Sequence, residues 1–333
     1  MRILVTGATG GLGRNAVEYL HAHGIEIQAT GRKVTTGQFF SNLCIPFTAI
    51  DLAHATDEEL SRLLDGVDVV WHCAALSSPW GTRQLFENSN VLATRNLLEA
   101  SGKAGVRRFI HISTPAIYFD FTHRYNIVES FRASTPANEY ARTKLLGEAE
   151  VEAINTRFPK LRTSILRPRA IFGPYDQVLI PRLAHMLSVK NGRLPLPRGG
   201  QAIIDMTFVE NVVHAMWLAT TKDDLPSGLA FNITNDKPER IAVVLEKLFV
   251  DKLEQRMKIL NIPYPAVALG ARVMECISAV TNKEPRLTRY SAGVLAYDMT
   301  LNIAHANNVL GYVPPVTLDE GIHRTAVWLR THG

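Results

Sequence analysis

Tyr140 and Lys144 stand four residues apart in "NEYARTKLLGEAEVE", residues 138 to 152. Apolar Leu145, Leu146, Ala149 and Val151 alternate there with Arg142, Glu148, Glu150 and Glu152. The pattern is helical, and residues four apart share a helix face. The phenol and the ammonium can therefore project the same way. A neighbouring ammonium favours phenolate over phenol, which would suit Tyr140 to acid/base work. The plainer reading is a surface helix in which Lys144 pairs with Glu148. Spacing alone does not separate the two.

A second group of residues could hold a nucleotide. "TGATGGLG" places Gly7, Gly10 and Gly13 at three-residue intervals, directly after the apolar run "RILVT" and before the helical stretch "RNAVEYLHAHG". Strand, glycine loop and helix in that order make a phosphate cradle. Small residues let the backbone approach a pyrophosphate, and the helix N-terminus offers unpaired amides. Thr9, Gly11 and Leu12 complete the loop. The next strand ends in "ATGRK". An acid there would bind ribose hydroxyls, but Gly31 takes that place and Arg32 and Lys33 follow. A guanidinium can clamp a 2′-phosphate. NADP(H) is therefore preferred, with NAD(H) left open.

These residues need a frame to position them. Short apolar runs ("IEIQAT", "FTAIDL", "VDVVWHCAA", "RRFIHIS", "RTSILRP") alternate with helical segments ("DEELSRLL", "LFENSNVLATRNLLEASGKAG" and the Tyr140 helix). Such alternation predicts an α/β fold, a Rossmann-type doubly wound parallel sheet. After about residue 170 the alternation loosens and Pro-rich stretches appear. We expect a dinucleotide-binding domain over 1–168 with a returning segment at about 202–234, in which "LAFNIT" is a candidate strand. Residues 169–201 and 235–333 then form a smaller, irregular substrate domain.

Composition narrows the function. The 333 residues are 46% hydrophobic and 20% charged, with net charge +5. The basic excess is scattered, which argues against a nucleic-acid partner. The most apolar stretch, "PAVALGARVMECISAV", is broken by Arg272 and Glu275 and is too short to span a bilayer. It reads as helical lid or core. Cys44, Cys73 and Cys276 lack metal spacing and read as buried thiols in a reducing compartment. The N-terminus reads directly into strand residues without a signal sequence, and a cytoplasmic location is expected. His72 and His111 lie in apolar strands as core histidines, and no metal site is expected.

Taken together, the glycine loop, "YARTK" and the alternating strands resemble the extended short-chain dehydrogenase/reductase superfamily. "VVWHCAAL", "NVLATRNLLEA", "HISTPAIYF", "LRPRAIFGP" and "TFVENVVHA" resemble its later landmarks. The resemblance implies that Tyr140 is the acid/base and that Lys144 serves it and holds the nicotinamide ribose. It implies that Thr114, with Ser113 as fallback, hydrogen-bonds the substrate oxygen. It places Asp51 and Leu52 at the adenine edge, Ala74 and Ala75 beside the ribose, and Asn90 and Pro168 near the cofactor. Asp51 could instead cap a helix, Ala74 and Ala75 could be plain core, and Asn90 a helix-interior polar residue. Ser77, Trp80, Thr114 and Arg169 would line the substrate pocket, although Trp80 could equally cap the core. The helices at about 83–103 and 138–155 imply a homodimer.

Substrate class divides this superfamily. Nucleotide-sugar enzymes read R-x-x-N-x-Y-G-P where this chain has "RPRAIFGP", with Ala170 at the Asn place. They often carry Arg where Ile204 stands. Arg169 or Arg182 could stand in for the lost diphosphate partners. "SSPWG", "PRLTRY" and "NVLGYVPPVTLDEGIHRTAVWL" resemble instead the 3β-hydroxysteroid dehydrogenase-like branch. The expectation is an NADP(H)-dependent oxidoreductase that interconverts a secondary alcohol and a ketone on an apolar steroid-, lipid- or aromatic-like small molecule. The alternatives are a nucleotide-sugar epimerase/dehydratase and a non-catalytic NADP-binding protein.

Overall fold

Alternate residues of each central strand bury on opposite sides of one sheet. In the computed structural model, which describes residues 1–33, 37–177, 180–281 and 283–332, Ile3 and Val5 join one core while Leu4 joins another. Val69 and Trp71 oppose Val70, Ile110 and Ile112 oppose Phe109, and Leu166 opposes Ile165. This period of two is the side-chain alternation of a strand. Both faces are covered, which is why these strands read as continuous apolar runs.

The strands are β1 (Arg2–Thr6), β2 (Glu26–Gly31), β3 (Phe47–Ala49), β4 (Val69–His72), β5 (Arg108–Ile112), β6 (Arg162–Pro168) and β7 (Leu229–Ile233). They form one seven-stranded sheet in the order β7-β6-β5-β4-β1-β2-β3. Every neighbouring pair is parallel. The order reverses between β1 and β4, and such a switch point opens a crevice at the carboxyl ends of the strands. The "LAFNIT" run is β7, as expected.

Helices α1 (Gly11–Ala22) and α5 (Val209–Thr221) cover the first core. Helices α2 (Asp57–Leu63), α3 (Ala93–Ala104) and α4 (Glu139–Arg157) cover the other. Their boundaries are set locally. Thr56 and Glu59 form a capping box at the start of α2. Gly105, in the left-handed region at φ 76°, ends α3. Asn138 caps α4 by accepting from the Ala141 N–H at 2.9 Å. The stretch before α3 holds a feature that periodicity does not reveal. A helical turn at Arg83–Glu87 passes through a π-turn at Asn88–Leu92 before α3 begins. The extra residue per turn places Asn90 in the interior, where it is 1% exposed.

Beyond β6, apart from β7 and a five-residue parallel pair of Arg193–Pro197 with Lys258–Ile262, the pairings are short and distant in sequence. Glu239–Arg240, Ile203–Ile204, Met299–Leu301 and Arg124–Ile127 make a small mixed sheet. A separate core includes Phe172, Leu194, Ile204, Phe208, Ile241, Phe249 and Leu318. Helix α6 (Tyr264–Thr281) lies outside that core, and of its residues only Ala271 and Ser278 are buried. It is therefore a surface helix and not part of the core. Among the described residues no helix is long and apolar enough to cross a membrane. The thiol expectation needs correction. Cys44 and Cys276 are exposed and Cys73 is half-buried. Cys44 sits in a turn at φ 54° after a short helix, and Cys276 lies on the outward face of α6.

Candidate active site

The carboxyl ends of β5 and β6 and the first turns of α4 converge on Tyr140. β5 runs into Ser113 and Thr114. The Ser113 hydroxyl donates to Glu148, so it faces the interior of the fold. The Thr114 hydroxyl lies within hydrogen-bonding reach of the Tyr140 phenol and also accepts from the Ala116 N–H at 3.2 Å. Thr114, not the fallback Ser113, is thus beside Tyr140. Lys144, one turn further along α4, is 2% exposed. Its Nζ donates to the Ile112 carbonyl at 2.6 Å and lies 3.3 Å from His111 Nε2.

Burial governs the electrostatics. It lowers the Lys144 ammonium to about 8, against the opposing charge of Glu148. It pushes the half-buried Tyr140 phenol up, and the Thr114 hydrogen bond only partly offsets this. The sequence suggested a phenol lowered by Lys144, so the direction is reversed. Desolvation of the anion outweighs the stabilisation it receives. Tyr140 is therefore a protonated acid at neutral pH. His72, pushed down to about 3 by burial and then by the Lys144 charge, is neutral. Its ring nitrogens meet Thr6 Oγ1 at 2.8 Å and Thr94 Oγ1 at 3.0 Å. His111 is held well below its ordinary value by the same causes.

Sequence reasoning missed the charged group behind this site. Arg167 is fully buried and Glu148 is 1% exposed. They pair bidentately, Nε to Oε1 at 2.8 Å and Nη2 to Oε2 at 2.6 Å. Arg167 also donates to the Tyr118 hydroxyl at 2.6 Å, which donates to Asn232 at 2.9 Å. Glu148 therefore does not pair with Lys144, as the plainer sequence reading would have it. It pairs with Arg167 and acts on Lys144 through space.

The glycine loop meets the geometric demands of a nucleotide cradle. A Cβ on Gly7 would lie 2.8 Å from the Ala74 backbone, and one on Gly13 would lie 2.2 Å from the Gly7 carbonyl. Those two glycines are required by packing within the protein. Gly10 is different, because its Cβ would meet only the Gly7 carbonyl at 3.4 Å. Gly10 begins α1 without a side-chain cap, which leaves the first-turn amides of Gly11, Leu12 and Gly13 for an anion. Thr9 packs against Gly31, whose Cβ would lie 2.9 Å from the Thr9 methyl. Arg32 is exposed just beyond. The residues present thus fit a dinucleotide.

Other expected contacts are less direct. Asn90 spends its amide on the protein, accepting from the Leu76 N–H at 2.7 Å and donating to the Leu76 carbonyl at 3.2 Å and Thr143 at 3.0 Å. It pins the loop after β4 and does not reach outward. Ala74 lies against Gly7, while Ala75 and Ser77 are exposed. Leu52 is buried in the core and Asp51 is exposed, accepting from the Ala53 N–H at 3.1 Å. Pro168 ends β6 opposite Ile233. Tyr175 left no local pattern to read; its hydroxyl donates to Glu18 at 2.6 Å and its ring centre lies 4.6 Å from the Arg14 guanidinium. The side chain of Arg182 lies outside the described residues.

A cavity of about 500 Å³ has Trp80, Phe86, Phe121, Asn138 and Tyr290 among its walls and reaches Glu139, the residue before Tyr140, but Tyr140, Thr114, Ser77 and Arg169 do not line it. Trp80 therefore lines a cavity. The lining also carries Asp120, Glu139, Glu275 and Arg289, so it is more polar than the residue content of the later segment suggested.

A parallel sheet reversing order at β1 and β4, a glycine loop and a Tyr–Lys pair define an extended short-chain dehydrogenase/reductase. Residues 3–234 match the NAD dependent epimerase/dehydratase family, and the chain belongs to that family. It is 47% identical to YbjS of Escherichia coli (strain K12), over 100% of this chain and 99% of that one. It is 32% identical to human sterol-4-alpha-carboxylate 3-dehydrogenase, decarboxylating, over 97% of this chain and 87% of that one. It is 30% identical to the 2-alkyl-3-oxoalkanoate reductase of Stenotrophomonas maltophilia (strain K279a), over 97% and 98%. Among solved structures, UDP-glucuronic acid 4-epimerase from Bacillus cereus, in complex with UDP-glucuronic acid and NAD, matches with a TM-score of 0.78 at 21% identity, over 99% of each chain. That likeness concerns the fold. With dehydrogenase and ketoreductase relatives, the chain is an NAD(P)-dependent oxidoreductase.

Proposed function

We propose that the protein interconverts a secondary alcohol and a ketone on an apolar, lipid- or sterol-like small molecule, with NADP(H) as cofactor and Tyr140 as acid/base. The observation that carries this reading is the Tyr140 phenol, kept protonated by burial, beside the Thr114 hydroxyl and one helical turn from the buried Lys144. A bound NADP(H) supplies the hydride for reduction. Thr114 donates a hydrogen bond to the carbonyl oxygen and holds it beside Tyr140. The Tyr140 phenol delivers its proton to that oxygen as the carbonyl carbon becomes a carbinol. Oxidation reverses each transfer. Lys144 holds the ribose hydroxyls and steadies the phenolate left behind. The cradle of Gly7, Gly10 and Gly13 takes the pyrophosphate, and Arg32 favours the 2′-phosphate of NADP(H).

Residues 169–201 and 235–333 supply the substrate side and residues 1–168 the cofactor side, with residues 202–234 returning to the sheet. The protein acts as a cytoplasmic homodimer joined through the helices at about 83–103 and 138–155, where Leu85 and Leu146 are exposed. Turnover of free NADPH tests the function. A panel of apolar ketones and UDP-sugars is offered with stoichiometric NADPH. Steady NADPH oxidation with a ketone is expected. Conversion of a UDP-sugar with no net change in cofactor would assign an epimerase instead.

A further inference from the structure

Two histidines stand side by side in the sheet, and their rings are unequally satisfied. His72 on β4 and His111 on β5 are register neighbours with ring centres 5.5 Å apart, and both are buried. The two His72 ring nitrogens have hydroxyl partners, Thr6 and Thr94, as expected of a core histidine. His111 differs. Its Nδ1 is buried without a partner, and its Nε2 meets the Lys144 Nζ at 3.3 Å. Leaving a buried polar atom unpaired is unfavourable, and an apolar side chain at this place in the sheet would avoid it. What an apolar side chain would lose is the contact to Lys144.

That contact has a defined direction. Burial, followed by the Lys144 charge and then His72, holds the imidazole well below its ordinary value. The ring is therefore neutral, and its Nε2 accepts from the ammonium. The ring proton then sits on Nδ1, the atom without a partner. The Lys144 ammonium has three donors. One goes to the Ile112 carbonyl at 2.6 Å and one to His111 Nε2, on consecutive residues of the same strand. Glu148 and Cys73 act on it through space, and no third acceptor meets Nζ among the described residues. A single anchor lets an ammonium turn about its stem, whereas two anchors fix the direction of the third N–H. The helix that carries Lys144 is itself held close to the ring. A Cβ on Gly147 would lie 2.9 Å from the Asn90 carbonyl and 3.7 Å from His111 Nε2.

We propose that His111 is a positioning residue, whose Nε2 works with the Ile112 carbonyl to aim the third N–H of Lys144 at the hydroxyls of the nicotinamide ribose. This deepens the reading above and rests on Lys144 holding that ribose.

The test compares two probes by calorimetry: NADP⁺, which carries the nicotinamide ribose, and 2′,5′-ADP, which carries only the adenosine end. His111→Leu removes the acceptor with a side chain of similar size. It should weaken NADP⁺ about three- to tenfold, the worth of one hydrogen bond, and leave 2′,5′-ADP unchanged. His111→Gln can place an amide oxygen near the former Nε2 and should restore most of the affinity. His111→Asn is too short to reach Lys144 and should not. In Lys144→Met, which has lost the group being aimed, His111→Leu should cost nothing further. Unchanged NADP⁺ affinity in His111→Leu and His111→Asn overturns the proposal and leaves the cofactor reading standing. Equal losses for both probes, failure of His111→Gln to restore binding, or a further loss in the Lys144→Met background overturns it in the same way, since each marks His111 as packing alone. If Lys144→Met binds NADP⁺ as well as the unmodified protein does, or the unmodified protein binds neither probe, the cofactor reading falls together with the proposal. The contrast between His111→Gln and His111→Asn decides the matter should the apolar variant fail to fold.

Discussion

The Lys144 Nζ sits 2.6 Å from the Ile112 carbonyl and is nearly out of water, so its charge has a pH signature. Burial lowers it to about 8, against roughly 10.4 in an unfolded chain. Between those values the unfolded state binds more protons, so stability rises with pH across that window. The full change is about 3 kcal/mol. The difference in unfolding free energy between the unmodified protein and Lys144→Met should be flat below pH 8 and should move in favour of the unmodified protein towards pH 10.4. A flat difference throughout would mean that Lys144 is not depressed. Tyr140→Phe removes the transferable proton and keeps the ring. Turnover should fall by roughly 10²–10⁴-fold with NADPH affinity unchanged. A silent variant would return Tyr140 to a packing role. Tyr140, Lys144 and the glycine loop were legible in the sequence because each is a local pattern. Arg167 and Glu148 lie nineteen residues apart on different elements, and nothing in their spacing predicts that a strand end and a helix will pair them.

At the scale of elements, that buried pair ties β6 to α4 beneath the site. Glu148→Gln leaves the Arg167 guanidinium buried without its counter-charge, and unfolding free energy should fall by about 3–5 kcal/mol. The double change Glu148→Leu with Arg167→Met should cost less than either single change, because it removes both desolvated charges. Denaturant unfolding of the three variants checks both expectations. The loop after β1 predicts a second contrast. Gly13→Ala forces a Cβ to 2.2 Å from the Gly7 carbonyl, so folding should suffer. Gly10→Ala is open to within 3.4 Å, so melting should hardly change while cofactor affinity falls, as expected of a residue at the start of α1 in the proposed pyrophosphate cradle. Equal losses of stability in both would refute the cradle. The parallel strands were legible because burial on both faces writes apolar runs into the sequence. The small mixed sheet was not, since Ile204 meets Met299 through a single bridge, too short to leave a periodic trace. The π-turn at Asn88–Leu92 was hidden for the same reason, being one turn within a pattern that reads as helix.

For the molecule as a whole, the proposed reaction needs both the crevice at the β1–β4 switch point and a substrate space, and Trp80 and Tyr290 wall the cavity described above. NADPH should bind at least about tenfold more tightly than NADH, and Arg32→Ala should narrow that gap, since one charge-assisted contact to the 2′-phosphate is lost. Fluorescence titration with both cofactors decides it, and equal affinities in the unmodified protein would remove the assignment. Net hydride transfer from free cofactor to substrate carbon is the step on which the proposed function rests. The most direct measurement uses NADPH deuterated at the transferable position of the nicotinamide, in turn on each stereochemical face, with a ketone that turns over. One deuterium on the carbinol carbon of the product is expected for one of the two labels, matched by one equivalent of NADP⁺. Product lacking deuterium from both labels, or substrate altered with no NADP⁺ formed, would contradict it.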